Sequence, residues 1–162
     1  MKNSIIIGSI IAVLVGVSLI WIFGSNKPSS EESTAQPSAE KAVVYKTPNC
    51  GCCAVYTKYL PKQGITTESI NITDQELKEM REKYNIPDDL SSCHITVIGD
   101  YFVSGHIPVE TIEKLASEKP NIAGIALAGM PSGTPGMPGP KNESWVIYAI
   151  NDNGSTSEFM TI

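Results

Sequence analysis

The sequence predicts a mixed α/β fold, in a single domain of residues 42–162 that follows a hydrophobic N-terminal segment. Short runs rich in β-branched residues alternate with stretches in which apolar residues recur every three or four positions, as on one face of a helix. Glycine, proline and asparagine mark the boundaries between these stretches. The chain of 162 residues is 41% hydrophobic and 18% charged, so it has enough apolar material for one core and too little charge for a disordered protein.

The N-terminal segment predicts a membrane anchor. Residues 5–24 are uncharged and rich in isoleucine, valine and leucine, and they are close to the length that crosses the hydrocarbon layer of a bilayer. The run ends in Trp21-Ile22-Phe23 rather than in small residues, which favours an uncleaved anchor, residues 1–24, over a secretory signal. Lys2 favours the cytoplasm, so the domain is expected outside it, in the periplasm or at the surface of a prokaryotic cell. Residues 25–41 have the serine, glutamate and proline content of a flexible linker.

The first half of the domain predicts a βαβ unit. Residues 42–45 are apolar and precede a turn, which is typical of a strand that enters a loop. After the loop, Tyr56 and Leu60 lie four positions apart, on one face of a helix that Gly64 ends. Residues 67–72 are a second β-rich run. The pattern therefore predicts a strand, a helix and a strand.

The second half predicts a helix, a hairpin and another helix. The run Thr73–Glu76 has the spacing of a capping box, in which two side chains satisfy backbone N–H groups at the start of a helix. The β-rich runs 95–98 and 101–104 are separated only by Gly99-Asp100, which indicates a tight hairpin. Apolar residues at helical spacing over 109–115 mark the last helix. The complete order βαβ, α, ββ, α is that of the thioredoxin-like fold.

The C-terminal part predicts a loop and an extra hairpin. Residues 122–140 are rich in glycine and proline and carry Met130 and Met137. These methionines can simply pack on the core. A thioether is also a Cu(I) ligand that survives oxidising surroundings, so the loop can instead gate or relay copper. Residues 144–162 predict a β-hairpin appended to the thioredoxin-like core.

Four cysteines in two motifs give the clearest chemical signal. Three thiols fall within Cys50–Cys53, where a loop turns into a helix, and Cys93 reaches them if the loop before the third strand lies beside the first loop. The start of a helix lowers thiol pKa values and so provides thiolates at neutral pH. Thiolate sulfur selects Cu(I), zinc or iron–sulfur centres over hard ions. The candidate metal ligands are Cys50, Cys52, Cys53, Cys93, His94, His106, Met130 and Met137.

The same cysteines allow three other interpretations, and the residues alone leave them open. Cys50 and Cys53 frame a C-x-x-C at the start of a helix, as in a disulfide oxidoreductase, although Cys52 inside the motif would compete with the redox pair. An even number of cysteines outside the cytoplasm can form two structural disulfides. A zinc or iron–sulfur site needs the same soft ligands.

Charge and motif content exclude several classes of function. Acidic residues outnumber basic ones 17 to 12, with no cluster of lysine or arginine, so the basic patch of a nucleic-acid-binding protein is missing. The sequence has no recognisable catalytic serine, phosphate-binding glycine loop or pair of carboxylates. Hydrolytic and transferase chemistry is therefore unsupported.

Four motifs resemble, in the same order, those of the DUF411 family, which includes CopG-like copper-resistance proteins. The motifs are Tyr45–Cys53, Pro87 with Ser92–His94, Gly105–Pro108 and Gly129–Met137. The resemblance covers residues 43–137 and implies a thioredoxin-like domain outside the cytoplasm that handles copper. The metal ligands that it implies are Cys50, Cys52, Cys53 and Cys93, and His94 and His106 match histidines of the family.

Two functional hypotheses follow. In the first, the protein holds Cu(I) on thiolates, with bridging sulfurs and more than one copper ion, for copper resistance, buffering or delivery. Its partners are then copper ions, other copper-handling or export proteins, and the membrane around its N-terminal helix. In the second, the protein is a thiol-disulfide or copper-redox enzyme that uses Cys50 and Cys53, and bound copper alternates between Cu(I) and Cu(II).

Overall fold

The computed structural model describes residues 41–162. The predicted anchor, residues 1–24, and the predicted linker as far as residue 40 lie outside the described residues. Within 41–162, no helix has both the length and the apolar character needed to cross a membrane.

Residues 41–162 form seven strands, three α-helices and one short 3-10 helix, Asp88–Leu90. The α-helices are α1 (Gly51–Lys62), α2 (Asp74–Lys83) and α3 (Val109–Glu118). The strands are β1 (Ala42–Lys46), β2 (Thr67–Asn71), β3 (His94–Ile98), β4 (Tyr101–Ser104), β5 (Gly124–Leu127), β6 (Val146–Ile150) and β7 (Thr156–Thr161).

The predicted mixed α/β fold is confirmed, and its local signals account for the element boundaries. At the start of α2, the Glu76 N–H donates to Oγ1 of Thr73 over 3.1 Å, and the Thr73 N–H donates to Oε2 of Glu76 over 2.7 Å. This is the predicted capping box, which satisfies two backbone donors that a helix start leaves free. The predicted hairpin at Gly99-Asp100 joins β3 and β4 as antiparallel neighbours.

The seven strands form one mixed sheet in the order β2-β1-β3-β4-β5-β6-β7. β1 and β2 are parallel and are connected through α1, and β4 and β5 are parallel and are connected through α3. The other neighbouring pairs are antiparallel. The carboxyl ends of β1, β4 and β5 therefore lie beside the amino end of β3. We call this side of the sheet, where these strand ends meet, the ligand edge.

Two hydrophobic clusters lie on the two faces of this sheet. Val103 belongs to one and Phe102 to the other, because neighbouring residues of a strand point to opposite faces. The helices divide in the same way. α1 and α3 contribute Tyr56, Leu60, Ile112 and Leu115 to the first cluster, and α2 contributes Leu77 to the second.

The prediction of a loop over residues 122–140 is wrong at its start, because β5 (Gly124–Leu127) lies inside the sheet between β4 and β6. All four residues of β5 are buried, and a side chain at Gly124 would collide with the Phe102 carbonyl oxygen and ring. The strand is short and begins with a glycine that close packing requires, so its sequence is typical of a loop. The C-terminal hairpin continues the same sheet, since β6 pairs with β5.

Candidate metal centre

The cysteine motif lies where β1 turns into α1 at the ligand edge. The Cys50 N–H donates to the Thr47 carbonyl over 3.2 Å and closes a turn with Pro48 at its second position, where the fixed φ of proline is favoured. Cys50 is the N-cap residue of α1, so Cys52 and Cys53 lie in the first helical turn. Cys93 precedes β3, which is the antiparallel neighbour of β1.

The four cysteine sulfurs form a compact group, here called the sulfur group. All four lie within 4.8 Å of one another. Cys93 Sγ is 2.7 Å from Cys50 Sγ and 3.1 Å from Cys53 Sγ, and Cys50 Sγ is 3.6 Å from Cys52 Sγ. Cys50 and Cys53 are joined by a disulfide, while Cys52 and Cys93 are free thiols. The structure thus brings the predicted thiols together and pairs two of them, rather than forming the two disulfides of the purely structural interpretation.

The sulfur group reaches from the core to the surface. Cys53 is fully buried and Cys50 is 9% exposed. Cys52 and Cys93 are partly exposed. Metal can therefore meet the group from the side of Cys52 and Cys93, and Cys53 is its innermost sulfur.

A second group, here called the imidazole group, shares Cys53 with the first. Cys53, His94 and His106 place one ligand atom each within 4.8 Å of one another, and all three are buried. Cys53 Sγ is 3.4 Å from Nδ1 of His94. The sequence predicted the histidines as candidate ligands, but it did not predict that Cys53 joins two groups.

Tyr56 fixes the two imidazoles from the core side. Its ring centre is 5.1 Å from that of His94 and 5.0 Å from that of His106, and its hydroxyl donates to the Ile107 carbonyl over 2.9 Å. Tyr56 is fully buried. The sequence predicted Tyr56 only as a residue on one face of a helix. Its position three residues after Cys53 was the available signal for its contact with the histidines.

Each histidine has a buried nitrogen that lacks a hydrogen-bond partner among residues 41–162, namely Nε2 of His94 and of His106. At His106, Nδ1 is 2.6 Å from the Pro135 carbonyl, which can only accept, so Nδ1 carries the proton and Nε2 keeps its lone pair. Histidine ligands of metals commonly donate their other ring N–H to a backbone carbonyl in this way. His106 is thus in the tautomer that suits metal binding through Nε2.

Burial governs the protonation of the centre. Burial, with a smaller contribution from His106, lowers the pKa of His94 to about 3, and burial also lowers the pKa of His106. Both imidazoles are therefore neutral at pH 7 and can act as ligands. Burial and then the neighbouring Cys52 raise the pKa of Cys93 to about 11. Cys93 precedes a strand rather than starting a helix. The lowered thiol pKa predicted for the cysteine motif therefore does not apply to Cys93.

A proline-rich loop, residues 129–141, lies against the site. Its Pro135 accepts the hydrogen bond from His106. A Cβ atom at Gly136 would be 3.1 Å from the Tyr56 nitrogen and 3.3 Å from the Cys52 carbonyl oxygen, so the loop approaches α1 as closely as a glycine allows. Met137 follows directly in the chain, whereas Met130 lies near the start of the loop. Both methionines are partly exposed.

The end of this loop is fixed by an aromatic residue. The Lys141 ammonium lies 4.5 Å from the centre of the Trp145 ring, and Trp145 is 7% exposed and belongs to the first hydrophobic cluster. A cation above an indole is attracted by the ring's negative face. The loop therefore contacts the candidate centre at Pro135 and Gly136 and the core at its end.

The donor set fits a soft metal. The two groups consist of thiols and imidazoles and contain no carboxylate. Thiolates favour Cu(I), zinc and iron–sulfur centres, and imidazole suits copper and zinc. Two unpartnered nitrogens inside the core would each cost free energy, and a bound metal ion would remove that cost.

Comparison with known proteins identifies similar sequences and folds. The family model described as protein of unknown function, DUF411, matches residues 90–137. Two solved structures of copper resistance protein CopG, form 1 and form 2, are similar over 76% of this chain and 98% of theirs. Their sequences are 30% and 29% identical to this one, and the TM-scores are 0.68 and 0.67. No curated protein sequence matches this one.

Proposed function

Because this chain belongs to the DUF411 family and is similar in fold to copper resistance protein CopG, we propose that it binds copper as Cu(I) for copper resistance, buffering or delivery. One observation carries the proposal: four cysteine sulfurs from two distant segments lie within 4.8 Å of one another. Such a group of thiols is a ligand set for a soft metal ion such as Cu(I). The thioredoxin-like arrangement predicted for the domain supports the proposal, because it brings both cysteine segments to the ligand edge.

The centre holds more than one copper ion. Four thiolates exceed what one Cu(I) ion needs, so bridging sulfurs are expected. Cys53 is the natural bridge, since it belongs to both the sulfur group and the imidazole group. In this arrangement Cys50, Cys52 and Cys93 complete one side of the cluster, and His94 and His106 complete the other.

Loading requires the reduced protein. The Cys50–Cys53 disulfide accepts two electrons and two protons from a dithiol reductant and becomes two thiols, while the reductant becomes a disulfide. Each thiol then loses its proton as its sulfur bonds to Cu(I). Cys52 and Cys93 are partly exposed and meet copper first, and Met137 in the adjoining loop relays copper to them.

Titration with Cu(I) tests this proposal. The full-length protein, purified in detergent and reduced without oxygen, competes for Cu(I) with a chromogenic chelator. We expect more than one tightly bound copper ion per chain, and weaker binding in Cys93→Ser. A wild-type protein that removes no copper from the chelator would contradict the proposal.

We also propose that the domain lies outside the cytoplasm. The uncharged run of residues 5–24 supports an anchor, and a disulfide such as Cys50–Cys53 persists mainly in oxidising compartments. Alkaline phosphatase, which is active only outside the cytoplasm, fused after Ile162 should be active in cells. An inactive but stable fusion would place the domain inside.

The disulfide favours a second candidate function, that of a thiol-disulfide or copper-redox enzyme. Cys50 and Cys53 are paired across the start of α1, as a C-x-x-C redox pair requires. Cys52→Ser separates the two functions, because it spares a two-cysteine redox cycle but removes a ligand from the copper cluster. Unchanged disulfide reductase activity together with lost copper binding in this variant would identify two separate activities. A wild-type protein without reductase activity would exclude the thiol-disulfide enzyme.

A further inference from the structure

The Ser92 hydroxyl joins the two chain segments that carry the histidines. Its Oγ donates to the His94 carbonyl over 2.6 Å and accepts the N–H groups of His94, over 3.3 Å, and of Gly105, over 3.0 Å. Ser92 is 6% exposed, so water does not compete strongly for these bonds. One small side chain thus fixes Cys93-His94 relative to Gly105-His106.

Arg81 reaches the same point from helix α2. Its Nη2 donates to the Ser92 carbonyl over 2.5 Å, and this carbonyl belongs to the peptide bond that leads into Cys93. Nε of Arg81 is buried and has no hydrogen-bond partner in the part of the chain that the structure describes. An arginine held in this position places a permanent positive charge behind the sulfur group.

We propose that Arg81 and Ser92 are positioning residues of the metal centre, which hold Cys93, His94 and His106 in place before metal binds. Arg81 fixes the peptide bond of Cys93, and Ser92 fixes the distance between the two histidine-bearing segments. The inference rests on the proposed copper binding, but neither residue is itself a ligand.

The charge of Arg81 gives it a second role at the same site. Four thiolates carry four negative charges, and each bound Cu(I) ion neutralises one, so a partly loaded centre is anionic. A nearby guanidinium stabilises such a centre, since its charge is only partly screened at a half-buried position.

Four variants and two matched controls test the inference by Cu(I) competition. Arg81→Gln and Ser92→Ala should each lower the affinity for Cu(I) by about 10- to 100-fold, the usual effect of removing an outer partner of a metal ligand. Arg81→Lys keeps the charge and Ser92→Thr keeps the hydroxyl, so each should restore part of the lost Cu(I) affinity. Lys78→Gln removes an exposed charge from the same helix, and Ser91→Ala removes a hydroxyl that, among the described residues, bonds only to the Pro87 carbonyl. Both controls should bind like the wild type.

Amide hydrogen exchange in the reduced, metal-free protein tests the positioning without copper. In Ser92→Ala, the Gly105 N–H loses its acceptor and should exchange about fivefold faster, while amides in β6 stay protected. Affinities equal to the wild type in both Arg81→Gln and Ser92→Ala would overturn the inference, as would unchanged exchange at Gly105. If the wild-type protein itself binds no copper, the proposed function fails, and exchange at Gly105 alone decides whether Ser92 holds the two segments.

Discussion

The sulfur group and the imidazole group meet at Cys53 but differ in how the protein holds them. Cys52 and Cys93 are partly exposed thiols beside a turn, and two members of their group are joined by a disulfide. His94 and His106 are fully buried and packed against Tyr56. The sulfur group can thus change its redox state and exchange ligands, whereas the imidazole group is fixed by the core. For the proposed copper binding, this difference predicts that the exposed thiols accept copper and that the buried imidazoles retain it.

Removing the shared residue should have the largest effect. Cys53→Ser removes the ligand that the two groups share. We therefore expect a loss of Cu(I) affinity greater than about 100-fold, which is more than the loss caused by removing a hydrogen-bond partner of a ligand. Cys52→Ser takes a ligand from the sulfur group alone and should cost less. Competition with a Cu(I) chelator measures both. Equal losses in the two variants would show that Cys53 does not join the groups.

Removing the imidazoles should reduce the number of bound copper ions without abolishing binding. In His94→Gln with His106→Gln, the four thiols remain, so the sulfur group should still bind copper while the total per chain falls. Metal analysis after gel filtration counts the ions, and circular dichroism checks that the variant is folded. An unchanged copper count in the folded variant would remove the imidazoles from the site.

The buried imidazoles should also make the metal-free protein sensitive to acid. The pKa of His94 is about 3 in the folded state against 6.5 in the unfolded chain, so between these values the unfolded chain binds more protons. Stability therefore falls as the pH drops from 6.5 towards 3, by about 2 kcal/mol between pH 7 and pH 5 for His94. Urea unfolding at the two pH values measures this, and His94→Gln should reduce the difference.

The smallest effect is expected at the loop. Met137→Leu keeps the size and apolar character of the side chain but removes the thioether. The amount of copper bound should therefore not change. The transfer of copper from a Cu(I)–glutathione donor should slow about two- to fivefold, which corresponds to an increase of about 1 kcal/mol or less in the activation free energy. Met130→Leu is the matched control at the far end of the loop. Stopped-flow absorbance of the Cu(I)–thiolate bands follows the transfer. Identical rates in all three proteins would rule out a relay through Met137.

The sequence was sufficient where a signal is local. The capping box at Thr73, the hairpin at Gly99 and the run Cys50–Cys53 each depend on residues a few positions apart, and the structure has all three. The resemblance to the DUF411 family also proved correct. Local chemistry and the helical or strand period therefore predicted most of the element order.

The sequence was insufficient where distant segments meet. The role of Cys53 in two groups depends on β3 pairing with β1 and β4 pairing with β3, and no spacing in the chain reveals it. Strand β5 was missed because Gly124 is required by contact with Phe102 rather than by a turn. The Arg81 contact with Ser92 joins a helix face to a loop eleven positions later, and an arginine near the end of a helix usually indicates only a solvent-exposed charge.

Trp145 provides the centre with an optical reporter. It is the only tryptophan of residues 41–162, and the ammonium group above its indole belongs to the loop that contacts His106 and α1. Indole emission responds to a nearby charge, so movement of the loop changes the fluorescence of the domain without any attached dye. For the proposed copper centre, tryptophan emission can therefore be recorded separately from the absorption of the Cu(I)–thiolate bands, so copper binding and any movement of the loop become measurable in one experiment.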